Sequence, residues 1–131
     1  MISKFKIGDK KTFSHVVENA DAATFSGGNV HPVYSTFALA RDAEWCCRLF
    51  VLDMKELDEE GIGTLISIQH QSPALIGQEV RFEATLQALE KNNVVCNFTA
   101  KVGERIIATG EQGQKILKKE RIEKLFLELN A

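Results

Sequence analysis

Residues 35–61 read STFALARDAEWCCRLFVLDMKELDEEG. Ser35 or Thr36 can supply an N-cap and Gly61 marks the end of the loop that follows, so the spacing predicts one long helix. Its apolar residues run from Phe37 to Leu52 and, with Trp45, Cys46 and Cys47 among them, cover nearly the whole circumference. A surface helix needs only one apolar stripe, so this helix is expected to be wrapped by other elements.

Downstream of the helix the period changes from 3.6 to 2. In 64–70, Ile66, Ile68 and His70 share one face while Leu65, Ser67 and Gln69 take the other, and Pro73 stops the strand. In 79–89, Val80, Phe82, Ala84, Leu86 and Ala88 alternate with polar residues, the pattern of a half-buried strand. Lys91-Asn92-Asn93 makes a turn, and Val94, Cys96, Phe98, Ala100 and Val102 repeat the inward alternation. A tight Gly103-Glu104 connection then predicts an antiparallel strand over 105–118, in which Gly110 and Gly113 imply a bulge or a close backbone approach. The C-terminal KKERIEKLFLEL sets Ile122, Leu125, Phe126 and Leu129 at helical spacing.

Upstream, 12–19 reads as a short strand with Phe13, His15 and Val17 on one face. Residues 20–34, interrupted by Ser26-Gly27-Gly28-Asn29 and by His31-Pro32, read as a loop. One buried helix and a long meander make an α+β fold, with the antiparallel sheet curling around the helix. Nothing repeats and no linker divides the chain, so residues 1–131 form a single domain.

Composition narrows the partners. Hydrophobic residues at 44% and charged residues at 26% are globular values, which excludes a disordered chain. Sixteen Lys and Arg against eighteen Asp and Glu give a net charge of −2, so no basic field draws nucleic acid; a small neutral ligand or a locally complemented anion fits better. No apolar run approaches the roughly 20 residues of a membrane span, and the first residues lack the apolar core of a signal peptide. A cytoplasmic protein without a membrane partner is the expectation. Cys46, Cys47 and Cys96 have neither disulfide nor zinc-ligand spacing and read as small buried apolar residues.

Val33-Tyr34-Ser35-Thr36-Phe37 through Glu44-Trp45-Cys46, then Gly61-Ile62-Gly63-Thr64 and Ile68-Gln69-His70, resemble the fluoroacetyl-CoA thioesterase-like family of the hotdog fold. The likeness spans about Lys11 to Leu125. It rests on a Thr near the helix start, a Glu eight residues later followed by an aromatic, a Gly-x-Gly-Thr ahead of the next strand and a His at that strand's end. The resemblance implies an acyl-CoA thioesterase with Thr36 as nucleophilic or substrate-orienting hydroxyl, Glu44 as carboxylate, His70 as imidazole and Gly63 as backbone oxyanion donor. It implies no metal and no cofactor, CoA entering only as part of the substrate, and a homodimer, with a tetramer as the next assembly. Hotdog proteins of this kind place the pocket between the helix of one subunit and the sheet of the other. Non-catalytic acyl-CoA sensors share the fold, so a binding module is the alternative. A hydratase is a third: 26–32 faintly resembles its signature, but Gly28 stands where the acid belongs.

Each residue also has a plain structural reading. Glu44 lies on one helical stripe with Arg41 and Arg48 and can form a charge ladder; alternatively it faces a pocket, and the arginines attract the anionic end of a cofactor-sized substrate. His70 can be an ordinary core histidine, Thr36 a helix cap and Gly61-Ile62-Gly63 a flexible helix exit. Together, hydroxyl, imidazole and carboxylate have the logic of a triad. Thr36 and Glu44 are eight residues apart, about 12 Å along a helix, so they cannot touch if both are helical: either Thr36 precedes the first turn and His70 bridges, or two chains build the site. His15 and Cys96 have no evident partners and read as structural.

Overall fold

A computed structural model describes residues 1–25 and 28–130 of the chain. The predicted helix is α1, Thr36–Met54. Seven strands accompany it: β1 (Lys10–Val16), β2 (Ala22–Phe25), β3 (Gly28–Tyr34), β4 (Glu59–His70), β5 (Glu79–Glu90), β6 (Asn93–Val102) and β7 (Arg105–Lys118). Helix α2, Lys119–Leu129, ends the chain. Five strands form one antiparallel sheet in the order β1-β5-β6-β7-β4, with α1 packed against it. The fold is α+β, and no helix among the described residues is long and apolar enough to cross a membrane.

The sheet covers one face of α1. Leu39, Ala43, Cys46, Cys47, Phe50, Val51 and Met54 are almost fully buried against inward residues such as Phe82, Leu86, Phe98 and Ile116. The opposite face leaves Phe37 77% and Trp45 42% exposed. This corrects the expectation of a helix wrapped all round: a single five-stranded layer reaches one side only, and the apolar residues on the other side remain uncovered in the single chain. The three cysteines are buried and free.

Two segments differ from the sequence reading. Residues 22–34, expected as a loop, pair as the two-stranded β2-β3 sheet with register shifts at Ala23; the Ser26-Gly27 part of the expected turn lies outside the described residues. The strand expected over 64–70 begins at Glu59. Gly61 and Gly63 therefore lie inside β4 and are not a helix exit. Pairing with the last five residues of β7, Glu59 opposite Lys118 through Gly63 opposite Gln114, outweighs the poor strand propensity of glycine.

The two glycines of β7 act as the sequence implies, by different means. A bulge at Thr64 of β4 sits opposite Gly113. At Gly110, a Cβ would lie 2.0 Å from the Ser67 carbonyl oxygen and 2.6 Å from Phe98 Cζ. Only a bare Cα lets β4 and β6 approach there, so Gly110→Ala should destabilise the fold by about 1–3 kcal/mol through overpacking. A thermal midpoint equal to that of the wild type would show that this approach is not needed.

Candidate active site

The start of α1 is fixed by Ser35, whose side chain accepts a hydrogen bond from the Ala38 amide at 3.0 Å. That leaves the Thr36 hydroxyl free of capping. It lies 3.1 Å from Nδ1 of His70, the last residue of β4. His70 Nε2 is buried and has no hydrogen-bond partner among the described residues. Burial pushes the imidazole below its ordinary value, with a backbone interaction at Ser72 acting the other way. The ring is therefore neutral at pH 7, and a neutral ring whose Nδ1 accepts from Thr36 carries its proton on Nε2.

Glu44 lies two turns further along α1, on its exposed face. Neither Arg41 nor Arg48 is its partner. Arg41 binds Asp21 and Asp42, each at 2.9 Å, and Arg48 binds Glu60 at 2.6 Å. The charge ladder is thus absent, and both arginines are already neutralised by other carboxylates. Glu44 Oε1 instead accepts from Gln112 Nε2 at 3.3 Å, and Gln112 Oε1 accepts from Gln114 Nε2 at 3.1 Å. A Cβ on Gly63 would lie 2.9 Å from Glu44 Oε1, so glycine is what allows the carboxylate to approach the backbone of β4. A cavity of about 460 Å³ borders Glu44, with Phe13 and Trp45 as apolar walls.

Gln112 and Gln114 were not singled out from sequence, though they are 1% and 3% exposed. The signal was available: two amides at alternate positions of a strand that continues into Ile116 point inward, and buried amides need partners.

Within one chain these groups form two separate halves, Thr36 with His70 and Glu44 with Gly63 and Gln112. Counting the Thr64 bulge as one place, Gly63 and His70 stand six places apart on β4, about 20 Å at roughly 3.3 Å per residue. Both face α1, because Gly63 pairs with Gln114 and His70 with Ala108 on the inward side of β7. Among the described residues no group of three His, Cys, Asp or Glu side chains is arranged to hold a metal ion.

The sequence model of the fluoroacetyl-CoA-specific thioesterase family matches residues 17–120. The chain belongs to this family. A Thermus thermophilus hypothetical protein described as a thioesterase superfamily member is 32% identical over 98% of this chain and 96% of its own, with a TM-score of 0.92. The fluoroacetyl-CoA thioesterase FlK, 20% identical over 96% of this chain and 98% of its own, has the same fold at a TM-score of 0.88. So does a hot-dog-like protein from Thermanaerovibrio acidaminovorans, 20% identical over 97% and 94%, also at 0.88. No curated protein sequence matches. Membership makes this chain a thioester hydrolase of the hotdog fold.

Beside the site the thioesterase carries a polar cluster that the sequence did not reveal. His15, read as partnerless, lies 2.6 Å from Asp21 Oδ2 and 3.7 Å from Asp42 Oδ2. The Tyr34 hydroxyl donates to Asp42, and Ser35 N–H donates to the Asp21 carbonyl at 2.8 Å. The two carboxylates are almost completely buried, and Arg41 and His15 close the cluster. Burial pushes Asp21 upward, but hydrogen bonds from the Glu18 amide, His15 and Arg41 outweigh it, leaving the carboxyl below its ordinary 3.8. A depressed carboxyl contributes stability above pH 3.8 that is lost as pH falls through its folded value. Asp21→Asn should cost about 3 kcal/mol, as for removal of one member of a buried pair, and should flatten the acid limb of stability. Chemical denaturation across pH 2–7 checks both, and an unchanged acid limb would remove Asp21 from this role.

Proposed function

We propose that the chain hydrolyses a small acyl thioester of CoA to the free acid and CoA, as a homodimer in which Thr36, His70, Glu44 and Gly63 do the work. The observation that carries the reading is the 3.1 Å contact between Thr36 Oγ1 and His70 Nδ1. A hydroxyl not needed as a cap, facing a neutral imidazole, is an arrangement for proton transfer. In the covalent route His70 takes the hydroxyl proton as the Thr36 oxygen attacks the thioester carbonyl carbon, and after CoA leaves, a water that gives its proton to the imidazole cleaves the acyl-Thr36 ester, releasing the acid and restoring Thr36. In the direct route Thr36 keeps its proton and aligns a water, which loses its own proton to His70 as it attacks the same carbon. The C–S bond breaks as the tetrahedral intermediate collapses, and CoA leaves as a thiolate, which needs little help from an acid. Gly63, on an edge strand whose outward N–H groups are unpaired in the single chain, supplies the oxyanion donor, and Glu44 holds the attacking water.

The two separated halves support a dimer built on β4. From Gly63 to Ser67 the strand is exposed, Leu65 and Ile66 at 45% each, as an unpaired apolar edge that invites another strand. Antiparallel pairing of two β4 strands over Leu65–Gln69 about a twofold axis at Ser67 brings Gly63, just outside the paired stretch and with its N–H left free, beside the partner's His70. Glu44 and Gly63 of one chain then complete the site with Thr36 and His70 of the other.

His70→Ala should lower turnover by about 10²- to 10⁴-fold. Thr36→Ala distinguishes the routes: covalent catalysis loses nearly all turnover, whereas water attack leaves measurable hydrolysis. Because only the neutral imidazole accepts a proton, kcat/KM should fall with decreasing pH around a midpoint below 6.5, in keeping with the lowered value of His70. A midpoint above 6.5 would count against His70 as the base.

Mixing Glu44→Ala with His70→Ala subunits tests the shared site. A mixed dimer carries one doubly damaged site and one intact site, so an equal mixture should recover about a quarter of wild-type activity. No recovery after verified subunit exchange would place each site within a single chain. Tight binding of acyl-CoA without hydrolysis across a broad acyl panel would instead make the protein a sensor.

A further inference from the structure

The face of the sheet turned away from α1 carries a groove that the reaction scheme does not use. Lys115 and Leu117 of β7 alternate with the buried Gln114 and Ile116, so they point to that outer face, where α2 crosses β7. Between them lies a cavity of about 730 Å³, within the range of small-molecule sites. Ile62, Leu117 and Leu125 give it apolar walls, and Lys115, Arg121 and Lys124 line it with positive charge. Glu128 is the one acid there.

We propose that this groove binds the phosphate-bearing nucleotide end of acyl-CoA, an inference that rests on the thioesterase reading. CoA carries a pyrophosphate and a further phosphate on an adenosine, so its recognition calls for several cations beside an apolar wall for the base. The arginines of α1 do not serve. Arg41 is held by Asp21 and Asp42, and Arg48 by Glu60. Lys115, Arg121 and Lys124 make no ion pair or side-chain hydrogen bond among the described residues, whereas neighbouring Lys118 is paired with Asp58 at 2.9 Å. Three free cations against one acid leave the groove net positive, so a polyanion is complemented without breaking an existing pair.

Position joins the groove to the chemistry. Gly63 lines one end of it, and the other side of the same residue meets Glu44 Oε1. Because Gly63 has no side chain, only the thickness of one strand separates the cationic groove from the carboxylate. The extended pantetheine arm of CoA is longer than that, so one ligand can lay its phosphates in the groove and present its thioester on the α1 side.

The double variant Arg121→Glu/Lys124→Glu tests this, with Lys4→Glu/Lys119→Glu, both outside the groove, as the control matched in net charge. One acyl group is assayed on CoA and on pantetheine, which lacks the nucleotide, and binding of CoA and of 3′,5′-ADP is followed by calorimetry. The double variant should lose about 10- to 100-fold in kcat/KM for the CoA ester, through KM, with the pantetheine ester unchanged. Its affinity for 3′,5′-ADP should fall by a similar factor, and the control should match the wild type. Equal losses on both esters, no loss on either, or an equal loss in the control would overturn the assignment. Binding of inorganic phosphate as tight as that of 3′,5′-ADP would also overturn it, by showing a general anion site. Should the wild type hydrolyse no ester yet bind CoA in a manner lost in the double variant, the groove stands and only the thioesterase reading falls.

Discussion

The ladder between β4 and β7 runs from Glu59 opposite Lys118 to His70 opposite Ala108, with one irregularity at Thr64, and the positions of the candidate groups depend on it. Side chains alternate along a strand, so a one-residue slip turns every one of them to the other face. The bulge makes such a slip locally and in a useful place. Gly61 and Gly63 on one side of it, and Ile66, Ile68 and His70 on the other, all face α1 because an extra residue is absorbed between them. Without the bulge, Gly63 and His70 would point to opposite faces. Gly110 and Gly113 on β7 are the matching accommodation, one admitting a close backbone approach and the other facing the bulge.

A second constraint holds the helix to the ladder. The entry to α1 is tied to the preceding segment through Tyr34, Ser35 and the carboxylates of Asp21 and Asp42. Buried carboxylates are costly unless their lone pairs are met, and here Arg41, His15, Tyr34 and the Glu18 amide meet them. The same cluster removes Arg41 from any role toward Glu44 or an anionic ligand. A charged side chain on a helix stripe is therefore a poor guide to that stripe's electrostatics when a buried acid of the helix itself, Asp42, and one from the preceding segment, Asp21, meet beside it.

These two constraints explain what could be read in the sequence. The helix, β5, β6 and the α+β class follow from residue pattern: Val80, Phe82, Ala84 and Leu86 are fully buried as their alternation requires, while β7 follows from the tight turn at Gly103-Glu104 that precedes it. Thr36 and His70 were legible as site candidates through the family resemblance, their own residue readings being a helix cap and a core histidine, and the structure brings them together. The early start of β4 was not legible, since Glu59 to Gly63 has poor strand propensity and is recruited by its partner strand. Nor were the β2-β3 pairing, the contact of Gln112 with Glu44 and the approach of His15 to Asp42. Each depends on contacts between residues far apart in sequence, or on pairing across a turn whose residues signal only irregularity.

The exposed residues bear on how a two-chain site would be held. A dimer at micromolar concentration needs about −8 kcal/mol net, after an association cost of at least about 4 kcal/mol. Leu65 and Ile66 are already half-buried, and completing their burial contributes only about 1 kcal/mol each, since full burial of such a side chain is worth roughly 1.5–3 kcal/mol. The edge of β4 alone therefore falls short. The open face of α1, with Phe37 77% and Trp45 42% exposed, is the further apolar area available next to the site. Phe37 directly follows Thr36, and Trp45 directly follows Glu44. An interface that extended from β4 onto this helix face would cover the residues flanking both halves of the proposed site, so that the contacts needed for affinity would be the same ones that exclude water from the reaction.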